Sequence, residues 1–87
     1  MTVVVNLRKD RYDVYIGRGS MFGNPFPMRC EEERDKVIEQ YKVYFYKRIA
    51  SDEEFKKGVL ALKGKILGCY CKPKKCHGDI IVEYLGG

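Results

Sequence analysis

The chain has 87 residues, 45% hydrophobic and 33% charged, a balance that excludes disordered, collagen-like and low-complexity classes. Its length predicts a single domain over residues 1–87 with a thin core. The 17 lysines and arginines exceed the 12 acidic residues by five, and this excess favours anionic partners such as nucleotides or nucleic acid, although a lysine-rich surface without any ligand has the same balance.

Two short strands are predicted near the N-terminus. Residues 3–7 are an apolar run rich in valine, which indicates a buried strand. Residues 12–17 alternate, with Tyr12, Val14 and Ile16 on one face, and this pattern predicts a second strand. We expect the two strands to form a hairpin, although the polar segment between them has no Asn-Gly type of turn.

Two helices are predicted in the middle of the chain. Apolar residues recur at helical spacing from residue 31 to residue 50, with acidic residues at the start and basic residues near the end. Ser51 and Glu54 form a capping-box pattern that begins a second helix, and Gly64 ends it. The side chains predicted to face inward are Val37 or Ile38, Tyr41, Phe45, Ile49, Phe55, Val59 and Leu62.

A third strand and a third helix are predicted in the last part of the chain. Residues 65–71 have the pattern of a strand, and residues 76–85 that of a helix which buries Ile80, Ile81, Tyr84 and Leu85. Because helices separate the third strand from the second, we expect it to pair in parallel with a neighbour. The order β-β-α-α-β-α predicts a small α/β domain with about three strands and three helices.

The sequence also predicts a location. The N-terminal apolar run is shorter than that of a signal peptide, and no run approaches the roughly 20 residues of a membrane helix. We therefore expect a cytoplasmic protein with no membrane contact. In that compartment the four cysteines, Cys30, Cys69, Cys71 and Cys76, are better interpreted as free thiols, metal ligands or a reactive thiol than as disulfides.

Residues 17–27, here called the glycine loop, contain three glycines and two prolines, which exclude regular structure. Glycines let backbone amides approach an anion, Arg18 has the fork geometry for a phosphate, and Ser20 and Asn24 add hydrogen bonds. Neither nucleotide-binding fingerprint is present. The alternative is a long turn that packs Phe22 and Phe26 into the core. The predicted ligand-binding residues are Gly17, Arg18, Gly19, Ser20, Gly23, Asn24 and Phe26.

Residues 69–79, here called the cysteine loop, allow three interpretations. In the first, Zn²⁺ is bound by Cys69, Cys71, Cys76 and His77, or by Cys30 in place of His77, although the usual knuckle has the spacing Cys-x2-Cys. In the second, Cys76 is a reactive thiolate, activated by the helix N-terminus and neighbouring lysines, with His77 as base and Asp79 orienting it. In the third, the thiols are small buried side chains that only shape the start of the helix.

The motifs together resemble a known family. The chain contains, in order, Tyr-Ile-Gly-Arg-Gly-Ser, Gly-Asn-Pro-Phe, Leu-Lys-Gly-Lys and Cys-Tyr-Cys-Lys-Pro-x-x-Cys-His-Gly-Asp. This pattern is similar to that of an uncharacterised prokaryotic and phage domain family, from about residue 5 to residue 85. The family often has tryptophan where this chain has Phe22 and Tyr70, and Cys30 is outside its pattern. The resemblance implies functional positions throughout the glycine loop and the cysteine loop, including Pro25 and Pro73, but it implies no reaction.

We expect the two loops to meet at the carboxyl edge of the sheet, where ligands bind in α/β folds. A pocket with glycine amides, Arg18, His77 and aromatic rings suits a nucleotide or another phosphorylated ligand. No residue pattern specifies a reaction. The first alternative is a non-enzymatic nucleic-acid-binding module, with or without a stabilising zinc ion. The second is a phage protein that binds a host protein through exposed tyrosines of the first helix, Tyr44 and Tyr46.

Overall fold

Three short strands form one parallel sheet in a computed structural model that describes residues 2–72 and 74–86. In chain order the strands are β1 (Val3–Asn6), β2 (Val14–Tyr15) and β3 (Ile66–Cys69). β3 lies in the centre, and Val4 of β1 and Val14 of β2 both stand opposite its Leu67. Leu67 and Cys69 are buried, as expected for a central parallel strand that is covered on both faces.

The described part of the chain also contains one 3₁₀ turn and three α-helices. In order they are a 3₁₀ turn (Glu31–Glu33), α1 (Arg34–Ser51), α2 (Glu53–Leu60) and α3 (Gly78–Tyr84). The element order confirms the predicted α/β fold, and β3 pairs in parallel as expected. Within these residues, no helix combines the length and apolar character that a bilayer crossing requires. The cytoplasmic location stays a prediction.

The predicted hairpin between the first two strands is wrong, because β3 lies between β1 and β2. The segment before β2 is instead held by β3: the amide of Asp13 donates to the carbonyl of Ile66 (2.7 Å), and the Asp13 carboxylate accepts from the Ile66 amide (2.8 Å). Without a tight turn to hold β1 against β2, both strands pair with the more apolar β3. All three strands are shorter than predicted.

The predicted start of the second helix is also wrong by one residue. Ser51 is the last residue of α1, and its hydroxyl donates to the carbonyl of Lys47 (2.9 Å). Asp52 is the N-cap of α2, and its carboxylate accepts from the amide of Phe55 (3.1 Å). Aspartate and serine are equally good N-cap residues. Because α1 extends through Ser51, Asp52 is the N-cap of α2 instead of Ser51.

Aromatic side chains dominate the core. Tyr41, Phe45 and Phe55 are fully buried and lie in contact, as the helical spacing predicted. The hydroxyl of Tyr41 donates to the carbonyl of Phe22 (2.9 Å), so α1 holds the glycine loop. Burial raises the pKa of Tyr41, which keeps the proton needed for this bond.

Candidate functional site

The two loops leave the same edge of the sheet. The glycine loop begins just after β2, and the cysteine loop begins at the last residue of β3. A buried contact joins them: His77 Nε2 lies 2.7 Å from the carbonyl oxygen of Ile16. Because a carbonyl only accepts, Nε2 carries the proton in this contact. The loops are therefore neighbours, although 61 positions separate the two residues that join them.

Both loops line one cavity of about 330 Å³, here called the central cavity. The glycine loop contributes Gly17, Arg18 and Asn24, and the cysteine loop contributes Cys69, Tyr70, Cys71, Lys75, Cys76 and His77. The remaining wall is formed by Tyr15, Met28, Arg34, Val37 and Ile38. The cavity thus combines three cationic side chains, two tyrosines, three thiols and an apolar side.

The polar side chains of the glycine loop are bonded mainly within the loop itself, apart from the Asn24 side-chain nitrogen, which donates to the Val37 carbonyl of α1 (3.5 Å). The Arg18 guanidinium donates to the carbonyls of Asn24 (2.7 Å) and Phe26 (3.0 Å). The hydroxyl of Ser20 donates to the carbonyl of Gly17 (2.7 Å), and the side-chain oxygen of Asn24 accepts from the amide of Phe26 (2.9 Å). These groups hold the shape of the cavity wall, and their predicted role in binding a ligand stays a prediction.

Six of the seven predicted ligand-binding residues line one or both of two cavities, and Phe26 lines neither of them. Gly19, Ser20 and Gly23 do not line the central cavity but a second, open one of about 370 Å³, which they share with Arg18 and Asn24. A side chain at Gly23 would lie 2.5 Å from the Gly17 carbonyl, so the loop folds back on itself only with glycine there. Phe22 is buried, and the half-buried ring of Phe26 packs on Tyr44.

The cysteine loop brings three thiols together. The Sγ atoms of Cys69, Cys71 and Cys76 lie within 4.8 Å of one another, and those of Cys69 and Cys76 are 2.8 Å apart. Across residues 2–72 and 74–86, no other cysteine, histidine or acidic residue brings a ligand atom within that distance of all three. Cys30 is exposed and lies outside the cluster, so the zinc set with Cys30 does not form in this arrangement.

Within the thiol cluster, Cys71 is the thiol with the lowered pKa. Hydrogen bonds from Cys69 and Cys76, and then from Arg34, lower the pKa of Cys71. The bond with Cys69 raises the pKa of Cys76, and burial adds to this effect. These directions favour a thiolate at the half-buried Cys71 beside a guanidinium, and the predicted reactive role of Cys76 stays a prediction.

His77 and Asp79 are two positions apart in the motif but make different contacts. Burial lowers the pKa of His77, so its ring is neutral with the proton on Nε2, and Nδ1 lies 3.6 Å from Cys76 Sγ. The carboxylate of Asp79 accepts from the amide of Cys76 (3.1 Å) and from Lys72 Nζ (2.6 Å). The Ile16 carbonyl, rather than Asp79, orients the imidazole. Pro73 of the motif lies outside the described residues.

Arg34 was not among the site residues predicted from the sequence. Its guanidinium binds Glu31 through two nitrogens and donates through the third to the carbonyl of Lys75 (2.9 Å), so it joins α1 to the cysteine loop beside Cys71. A signal was present: Arg34 is a cation in the first turn of α1, where the helix dipole disfavours positive charge. A cation at such a position indicates that a contact with another part of the chain requires it there.

Comparisons with known proteins support the resemblance seen in the motifs. The family described as "Domain of unknown function (DUF4326)" matches residues 5–87. An "Uncharacterized 12.4 kDa protein in nrdA-td intergenic region" from Enterobacteria phage T4 is 46% identical over 80 residues, which cover 92% of this chain and 73% of the relative. No solved structure matches the chain. The predicted similarity to an uncharacterised prokaryotic and phage family is thus confirmed.

Proposed function

The chain belongs to the DUF4326 family, and we propose that it binds a nucleotide or another phosphorylated, base-containing small molecule in the central cavity. The observation that carries this proposal is the composition of the cavity, where cations from three segments, Arg18, Arg34 and Lys75, stand beside two tyrosines. Cations attract phosphate, and aromatic rings stack on a base. The volume of about 330 Å³ is at the lower end of the range for small-molecule sites.

Lys75 is the cation best able to bind a phosphate. Arg18 and Arg34 are already held by carbonyl and carboxylate oxygens of the protein. Lys75 Nζ has one ion pair, with Asp35 at 3.1 Å, and both side chains are largely exposed. Exposed ion pairs contribute little free energy, so Lys75 exchanges this partner at small cost.

The aromatic side of the cavity suits the base. The rings of Tyr15 and Tyr70 lie edge to face with their centroids 6.3 Å apart, and Tyr70 is 55% exposed. The Arg8 guanidinium lies over the Tyr70 ring at 5.1 Å and holds its orientation. A base that inserts beside these rings gains stacking energy without displacing a buried side chain.

A thermal-shift screen over nucleotides tests the proposal, with Lys75→Ala against Lys74→Ala as matched variants. Both lysines are exposed and each has one exposed ion pair, but only Lys75 lines the central cavity. We expect a nucleotide at 100 times its dissociation constant to add about 2.7 kcal/mol of stability, and Lys75→Ala to weaken binding by about tenfold while Lys74→Ala has no effect.

Two results would contradict this proposal. One is that no nucleotide shifts the unfolding temperature of the protein. The other is binding to single-stranded nucleic acid that falls steeply with added salt and depends equally on Lys74 and Lys75, because such binding indicates a distributed phosphate-contacting surface. That second result favours the nucleic-acid-binding alternative.

The proposal includes a cofactor, one Zn²⁺ bound by Cys69, Cys71 and Cys76. Zinc binds thiolate sulfur at about 2.3 Å, which sets tetrahedral sulfurs about 3.8 Å apart. The three Sγ atoms are within 4.8 Å of one another, so zinc binding requires the 2.8 Å pair to open by about 1 Å and the other two pairs to settle near the same spacing. A bound ion also supplies stability that a core of this size lacks.

Elemental analysis of protein purified without added metal tests the cofactor. We expect close to one zinc per chain, a large loss of zinc in Cys71→Ser and full retention in Cys30→Ser, because Cys30 is exposed and outside the cluster. A chelator should lower the unfolding temperature of the wild type. Zinc content near zero, with unfolding unaffected by the chelator, would remove zinc from the proposal.

A further inference from the structure

We infer that His77 completes the Zn²⁺ site through its Nδ1 atom, so that the ion has four protein ligands and links the cysteine loop to the glycine loop. This inference rests on the cofactor in the proposed function and deepens it. Three cysteines and one histidine form a closed, tetrahedral site, which is the structural class of zinc site. The ion then supports the wall of the central cavity, and the bound nucleotide does not touch it.

The His77 ring stands relative to Cys76 as one zinc ligand stands relative to another. Its Nδ1 lies 3.6 Å from Cys76 Sγ. A tetrahedral ion with sulfur at about 2.3 Å and nitrogen at about 2.0 Å holds two such atoms about 3.5 Å apart. Nε2 carries the ring proton because it donates to the Ile16 carbonyl (2.7 Å), so in the neutral ring Nδ1 has a free lone pair beside the thiol.

The contacts around His77 and Cys76 are those that zinc ligands receive from their surroundings. A histidine that binds a metal through one ring nitrogen usually donates through the other to a carboxylate or a main-chain carbonyl, and the Ile16 carbonyl is such a partner. Cys76 Sγ accepts from the amide of Gly78 (3.4 Å). The imidazole also packs edge-on against Tyr41, with ring centroids 5.0 Å apart. These contacts fix the ring in an orientation that suits a metal ligand.

Metal binding requires the four donors to contract around the ion. His77 is outside the set of ligand atoms within 4.8 Å of one another, so the sulfurs of Cys69 and Cys71 must approach Nδ1 as the cluster closes on the ion. Nε2 stays bonded to Ile16, the residue just before the glycine loop, so one imidazole connects the ion to that loop. We therefore expect zinc removal to weaken nucleotide binding, although the nucleotide does not contact the ion.

Nuclear magnetic resonance tests the fourth ligand directly, because His77 is the only histidine of the chain. The full chain is labelled with ¹⁵N in the imidazole ring and loaded with ¹¹³Cd²⁺ in place of Zn²⁺. We expect ¹¹³Cd to split the Nδ1 signal by scalar coupling and to leave the signal of the protonated Nε2 unsplit. The measurement needs no variant, so it does not depend on whether a substituted protein folds.

Competition with a chelator measures the contribution of the ring to metal affinity. His77→Gln offers a donor to the Ile16 carbonyl but no imidazole to the ion. It should lower zinc affinity by more than about a hundredfold, which exceeds the effect of losing only a contact around a ligand. Cys30→Ser is the matched control and should bind zinc as the wild type does, because Cys30 is exposed and outside the cluster.

The possible results separate this inference from nucleotide binding. An unsplit Nδ1 signal in protein that holds one ¹¹³Cd²⁺ per chain, or wild-type zinc affinity in His77→Gln, would overturn the fourth ligand. Equal nucleotide affinity with and without zinc would overturn the link to the glycine loop. If Nδ1 is split but no nucleotide stabilises the protein, the fourth ligand stands and nucleotide binding fails. If nucleotides stabilise a protein that binds neither metal, nucleotide binding stands and this inference fails.

Discussion

Replacing His77 with alanine is expected to lower the free energy of unfolding by about 3 kcal/mol. The side chain is buried and its ring packs against Tyr41, so the substitution leaves a void in the aromatic core. It also removes the donor to the Ile16 carbonyl, which then stays buried without a partner. Urea denaturation of both proteins measures the difference.

The matched variant is His77→Gln, whose amide nitrogen restores a donor of similar reach. It should recover part of the loss, because the carbonyl of Ile16 is again bonded although the ring is missing. A loss below about 0.5 kcal/mol in His77→Ala would show that the imidazole does not hold the two loops together, and the geometry of the central cavity would need another explanation.

Gly78→Ala is expected to destabilise the protein by about 1–3 kcal/mol. A Cβ at this position would lie 2.6 Å from Ile16 Cδ1 and 2.9 Å from Val4 Cγ2. Ile16 and Val4 belong to the two outer parts of the sheet, so the new methyl group pushes the start of α3 away from both. Since Ile16 also carries the carbonyl that binds His77, we expect nucleotide binding to weaken in parallel. Thermal unfolding measures the first effect.

Gly58→Ala is the control with the opposite sign. Gly58 lies inside α2, and a Cβ there would meet its nearest neighbours, Met21 and Phe22, at an ordinary 3.4 Å. Alanine is a better helix former, so this variant should gain about 0.5–1 kcal/mol. If Gly78→Ala were as stable as the wild type, the close contact of α3 with the sheet would be disproved.

The elements of the fold were predictable because their signals are local. The spacing of Tyr41 and Phe45 indicates a helix with one buried face, and the structure buries both. The sheet order was not predictable, since it depends on a contact between Asp13 and Ile66, which are 53 positions apart. No local pattern specifies which of the two earlier strand segments the third strand will pair with, or that it will separate them.

The site was predictable in its location but not in its contacts. Motif positions at strand ends indicated where the loops meet, because parallel strands present their carboxyl ends at one edge. The loop conformation then determines which polar groups remain available to a ligand. The side chains of Arg18 and Ser20 donate to carbonyls inside the glycine loop. Likewise, the orienting contact to His77 comes from a main-chain carbonyl, which no side-chain pattern reveals.

The position of β3 at the centre of the sheet has a consequence for synthesis on the ribosome. The two strands that flank it emerge first, and neither has a partner until residues 66–69 follow. Meanwhile α1 and α2 form from local contacts alone, so the nascent chain carries helices and two unpaired strand segments. The last strand to be translated therefore closes the sheet and at the same moment delivers its cysteines to the pocket.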